Sequence, residues 1–191
     1  MFKDIFQADW VKLRRSVVWL IALGIPLFLS VVGIRNYTEH FDVFREEGIT
    51  GWMGAWTQVE FLYGMLLCPV LVGVYVSLLC HFEHLGGGWK QMLSFPVSRS
   101  GVYFSKMLWA WLLVGITNFL VLALFLLIGN MFDVEGSIPW AAFLMMIFKG
   151  WLSSLTLVAV LLWVSTRWSH FGLPIALNFC FCITQCYYFP H

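Results

Sequence analysis

Charge is scarce in this chain of 191 residues: ten acidic and eleven basic side chains make up 11% of it, and the formal net charge is +1. So few ionic groups do not cover a 22 kDa particle in water, which argues against a soluble globular domain. A pI near 7.7 brings no basic stripe to neutralise phosphates, so no nucleic-acid partner is expected. The five cysteines, Cys68, Cys80, Cys180, Cys182 and Cys186, form no Cys-x-x-Cys pair and no even-numbered framework in a loop. They read as small apolar side chains. The first fifteen residues carry scattered charges instead of a basic stretch followed by an apolar core and a cleavage site, so no signal peptide is expected. Residue 2 is Phe, not Gly, and no lipid-attachment motif is present there. What the chain has instead is apolar mass. It is 61% hydrophobic and 18% aromatic, with eleven Trp, six Tyr and eighteen Phe, and its mean hydropathy is +0.84. That is the composition of an integral membrane protein.

Five apolar runs are each long enough to cross the hydrocarbon as a helix: 17–34, 61–80, 107–129, 139–165 and 171–189. Pro26, Pro69 and Pro174 lie inside three of them, which a membrane span tolerates. The runs are apolar on every side, whereas a lipid-facing barrel alternates polar and apolar positions. The predicted fold is therefore all-α, a single transmembrane domain over 1–191. Lys3, Lys12, Arg14, Arg15, Lys90, Arg99, Lys106 and Arg167 fall on one side if the spans alternate. Arg35 and Arg45 fall on the other, amid Glu39, Asp42, Glu46 and Glu47. The positive-inside rule then makes the N-terminus cytoplasmic. With five spans His191 lies outside, so the expectation is either a chain that ends there or a sixth helix absent from the sequence.

Before the first span, Phe2, Ile5, Phe6, Trp10 and Leu13 share an arc of roughly 140° on a helical wheel, opposite Lys3, Gln7, Arg14 and Arg15. This pattern predicts an interfacial helix over 2–15 that turns into the membrane near Ser16, with Asp9 interrupting its apolar arc. A plain basic flank that orients the first span is the alternative. The segment 81–106 is too long for a tight turn. Gly86, Gly87 and Gly88 break the second span, Trp89 to Phe95 make about two helical turns, and Pro96 ends them. Ser98 or Ser100 then caps the third span. The short helix offers Trp89, Met92 and Leu93 either to a protein partner or to lipid alone.

Glu83, the glycine cluster, Trp89-Lys90-Gln91-Met92-Leu93-Ser94-Phe95-Pro96-Val97-Ser98-Arg99 and Lys106 together resemble the E…G…K-x-L-L-S-x-P-V-S-R…K signature of ABC-2-type transporter permeases. The likeness is nearest to the small permeases that handle lantibiotic, bacitracin and similar peptides. In that family the short helix is a coupling helix docked into a separate ATP-binding subunit, and two permeases work with two ATPases. Carried over, Glu83, Trp89, Lys90, Met92, Leu93, Pro96 and Arg99 would be the partner-binding positions. The resemblance implies six spans where five are found, a cytoplasmic ATPase dimer as partner, and a second permease subunit, identical or homologous. ATP and Mg would be bound by the partner, because Gly86-Gly87-Gly88-Trp89-Lys90 lacks the spacing with which backbone amides cradle phosphates.

No catalytic or metal-binding residue is expected. His81, His84 and His170 sit at one set of span ends and His40 and His191 at the other, so no pair meets at mid-membrane as a haem bundle needs. Glu46 and Glu47 lie on the solution side, away from any intramembrane metal chemistry, and the acidic run from Glu39 reads as a solvated face or a lure for cationic peptides. Lys149, about ten residues into the fourth run, is costly in lipid unless partnered. It is expected to face the bundle or a permease dimer seam, near Asn118, Asn178 or a backbone carbonyl, with snorkelling to an interface as the alternative. The functional expectation is a permease subunit of an ATP-driven transporter in a bacterial plasma membrane, exporting or clearing an amphiphilic peptide or lipid-like antibiotic. The alternative is a non-transporting scaffold that anchors a cytoplasmic partner.

Overall fold

The computed structural model of the chain describes residues 2–14, 16–46, 48, 50–84 and 99–167, and these form helices and short connections, with no strand among them. In chain order the helices are α1 (Phe2–Leu13), α2 (Val18–Glu39), α3 (Phe41–Glu46), α4 (Gly51–Leu62), a π-helical segment (Tyr63–Leu67), α5 (Cys68–His84), α6 (Arg99–Met131) and α7 (Trp140–Arg167). Helices suit this composition because each satisfies its own backbone groups where no water reaches them. Among the described residues α2, Ser100–Met131 and Trp140–Thr166 are long and apolar enough to cross a membrane. Gly51–Met65 and Cys68–Cys80, bent by 42° at their junction, supply a fourth if they count as one span. The expected run 171–189 lies outside the described residues.

Helix ends depart from the apolar runs, and each departure has a local cause. The second run was expected to begin at Phe61, yet helix begins at Gly51, because Trp52, Ala55, Trp56 and Val59 recur at helical spacing and are all buried. Thr57, Gln58 and Glu60 dilute the hydropathy of that stretch without breaking its buried stripe. The π-helical turn immediately precedes Cys68-Pro69. A proline there removes one backbone donor and crowds the carbonyl four residues earlier, and a wider turn absorbs the crowding. The third run starts at Arg99 and not at Met107, since α6 carries on through polar residues beyond its apolar stretch.

Packing divides the chain into two compact units. The first comprises Met1–Trp19, Pro69–Val114 and Ser153–His191. Its buried apolar residues include Leu13, Tyr75, Leu79, Trp109, Leu113 and Leu162. The chain leaves α1 through a stapled turn: the Ser16 amide and the Trp19 indole both donate to the Leu13 carbonyl, at 2.9 and 3.1 Å. The Ser16 hydroxyl accepts from the Val18 amide at 3.3 Å, so a side-chain cap opens α2. Further along, the Tyr103 hydroxyl of α6 donates to the Ala159 carbonyl of α7 at 2.8 Å.

The second unit comprises Leu20–Cys68 and Gly115–Leu152 and is built on rings. Phe125 meets Trp52, Trp56 and Phe143 at centroid distances of 5.8, 5.0 and 5.9 Å, all near edge-to-face, and Trp56 also lies 5.3 Å from Phe143. Two glycines make room for the Trp52 corner. A Cβ on Gly129 would sit 2.6 Å from the Trp52 ring, and Gly51, at φ +71°, would carry one 2.8 Å from the Glu135 carbonyl oxygen. The Gly51 amide donates to the Tyr37 hydroxyl at 2.8 Å, and the Trp52 indole donates to the Gly136 carbonyl at 3.1 Å. Exposed Leu20, Phe28, Leu144, Met145 and Phe148 form faces that lipid accommodates without cost.

Candidate functional site

The partner-binding positions expected from sequence bracket a gap in the described residues. Trp89, Lys90, Met92, Leu93 and Pro96 lie outside them, as does Asn178. Glu83 falls in the last turn of α5 and Arg99 opens α6, so the helices leading into and out of the segment are both described.

Those two helices are joined close to their ends. The Lys106 ammonium on α6 donates to the Leu79 carbonyl on α5 at 3.2 Å and lies 3.3 Å from Asp9 Oδ1 on α1. The Ser105 hydroxyl donates to Asp9 Oδ2 at 2.7 Å. One carboxylate and one ammonium therefore tie three helices at a point. Asp9 is 3% exposed and Lys106 1%. Burying either charge alone is expensive, and the arrangement holds because each oxygen of the carboxylate has a donor and the ammonium has a second acceptor.

Around the pair, α1 lies on α6 through stacked rings. Phe6 and Trp10 both stack on Trp109, at 4.3 and 5.4 Å with interplanar angles of 18° and 14°. The Trp109 indole donates to the Phe6 carbonyl at 3.0 Å. The apolar arc read from the sequence thus packs on the protein's own α6 through Phe6 and Trp10, while Lys3, Lys12 and Arg14 remain exposed. Asp9, read as an interruption of that arc, is its anchor. Its signal was present as an acid in an apolar stripe, which asks for a buried cation; Ser105 gave none.

Two of the three candidate intramembrane positions, Asn118 and Lys149, fall within the described residues. Asn118 is buried and accepts the Tyr63 hydroxyl, within the second unit. Lys149 is exposed on α7, in the stretch that also carries exposed Met145, Met146, Phe148 and Leu152. An outward position is compatible with the dimer seam and with snorkelling. Among the described residues no three His, Cys, Asp or Glu side chains converge as metal ligands.

A family model described as ABC-2 family transporter protein matches residues 5–185. The chain belongs to the ABC-2 transporter family. No match is found among curated proteins or among solved structures. As an ABC-2 family chain it is a permease subunit of an ABC transporter and a multi-pass membrane protein. The matched region extends from within α1 to beyond α7, so Asp9, Leu79, Ser105 and Lys106 all fall inside its bounds, as does 81–106.

Proposed function

We propose that this permease works in an ATP-driven exporter that removes an amphiphilic peptide or a lipid-like antibiotic from a bacterial plasma membrane. A separate ATPase dimer binds ATP and Mg and docks on 81–106 through Glu83, Trp89, Lys90, Met92, Leu93, Pro96 and Arg99. A second permease subunit, the same chain or a homologue, completes the pathway, with Lys149, Asn118 and Asn178 as its candidate intramembrane polar positions. The N-terminus lies in the cytoplasm, because that orientation puts Lys3, Lys12, Arg14, Arg15, Lys90, Arg99, Lys106 and Arg167 on the docking side. The observation that carries this reading is the family match running through the Trp89–Arg99 signature.

Apolar anchors at the centre of a protein interface typically contribute about 2 kcal/mol or more when truncated. Trp89→Ala with Leu93→Ala is therefore expected to leave the permease inserted while releasing the ATPase on detergent extraction. Retention of a stoichiometric ATPase with normal turnover would remove 81–106 as the docking site. A partner that co-purifies but has no nucleotide site would favour the scaffold.

A further inference from the structure

Leu79 lies five residues before the end of α5 at His84, and Lys106 seven residues after the start of α6 at Arg99. Both are thus near the points where the chain enters and leaves the docking segment, and the Lys106 ammonium donates to the Leu79 carbonyl. That ammonium also holds α1, which is not part of the segment.

The contacts between α1 and α6 fall into two kinds. Phe6 and Trp10 lie nearly parallel to Trp109, and stacked ring faces slide past one another because apolar contact has no preferred direction. The Asp9 carboxylate is different. It takes the Ser105 hydroxyl on one oxygen and the Lys106 ammonium on the other, so any slip of α1 along α6 breaks bonds at a buried charge. The Trp109 indole on the Phe6 carbonyl adds a further directional link between the two helices. A buried ion pair is a poor source of stability compared with apolar packing of the same volume, and its best-attested use is to set register between helices.

We infer that Asp9 and Lys106 are a positioning pair that makes α1 move with the docking segment. The inference rests on the permease reading above. A displacement of 81–106 by the ATPase shifts the ends of α5 and α6, and the Lys106 ammonium, bonded to both the Leu79 carbonyl and Asp9, carries the shift into α1. Helix α1 presents Lys3, Lys12 and Arg14 outward, so the moving element is one that bears cations suited to anionic lipid.

The test uses the permease purified with its co-expressed ATPase in phosphatidylethanolamine–phosphatidylglycerol nanodiscs. The native cysteines are replaced and Gln7→Cys, on the exposed side of α1 beside Phe6 and Leu108, carries a bimane probe. Mg-ATP with vanadate is expected to shift the bimane emission in the otherwise unaltered complex. In Asp9→Leu/Lys106→Met, which leaves no stranded charge and alters none of the partner-binding positions from Glu83 to Arg99, the ATPase stays bound with unchanged KM for ATP while the emission shift falls at least about fivefold. A full shift in the double variant would overturn the inference, as would loss of the ATPase from that variant, which would make the pair merely structural. An unaltered complex that keeps its ATPase yet shows no shift would overturn it too. If no ATPase accompanies the unaltered permease, the permease reading fails first and takes the inference with it.

Discussion

The seam around Lys106 and the seam around Phe125 join helices of the same chain by opposite means. At Lys106 the link is a buried carboxylate and ammonium with a hydroxyl and a carbonyl completing their bonds. At Phe125 it is three rings meeting a fourth near edge-to-face, with glycines clearing the space. Ring packing answers to volume, so it degrades in proportion to the misfit. A charge pair answers to completeness, so removing one member leaves the other as a cost greater than the bond that was lost. The difference teaches where each kind of seam belongs. Graded packing suits a part that has only to hold together, and an all-or-nothing link suits a part that must keep one register.

Lys106→Met breaks the comparison open at its most sensitive point. It strands the Asp9 carboxylate beside Ser105, and the expected loss is about 3–5 kcal/mol, read as a collapse of expression and of the thermal midpoint in detergent. Asp9→Leu added to Lys106→Met is expected to recover most of that loss, because two apolar side chains leave no buried charge without a partner. Equal instability of the single and double variants would show that the seam depends on shape, as the Phe125 seam does.

Gly129→Val probes the other seam and is expected to cost less. Its Cβ would lie 2.6 Å from the Trp52 ring, which is buried and tied by its indole to the Gly136 carbonyl, so the ring has little room to yield. Overpacking of this sort costs about 1–3 kcal/mol. Trp52→Leu in the same chain is expected to return part of the lost midpoint by vacating the space. A penalty as large as that of Lys106→Met would mean that the Trp52 corner is as intolerant as the charge pair.

The two seams also differ in how visible they were before the structure. Long apolar runs located α2, α6 and α7 because hydropathy marks what lipid must surround. It does not mark where a helix stops, since backbone bonding continues past the hydrocarbon edge; hence α2 runs on through Arg35 to Glu39 and α6 begins at Arg99. The ring seam was half legible: the buried stripe from Trp52 to Val59 has helical period, but its polar neighbours hid it from a search for apolar runs. The charge pair was not legible as a pair. Asp9 and Lys106 are 97 positions apart, and no local periodicity connects them. In the sequence Asp9 is a flaw in an apolar arc and Lys106 is part of a motif.

The smallest expected effect sharpens the comparison most, because it sets another cation–carboxylate pair in exposed surroundings. Arg35 Nε lies 2.7 Å from Glu39 Oε1, a closer approach than the 3.3 Å between Lys106 and Asp9. By distance alone it would be the stronger link. Yet its side chains are 70% and 53% exposed, against 1% and 4% for the buried pair. Water and salt screen the exposed pair, and either group left alone is simply solvated. Arg35→Gln is therefore expected to leave the thermal midpoint unchanged within error at both low and high salt, while the unaltered protein shows the same salt response. A loss approaching that of Lys106→Met would mean that proximity governs these links, and burial would no longer explain why Asp9 and Lys106 matter.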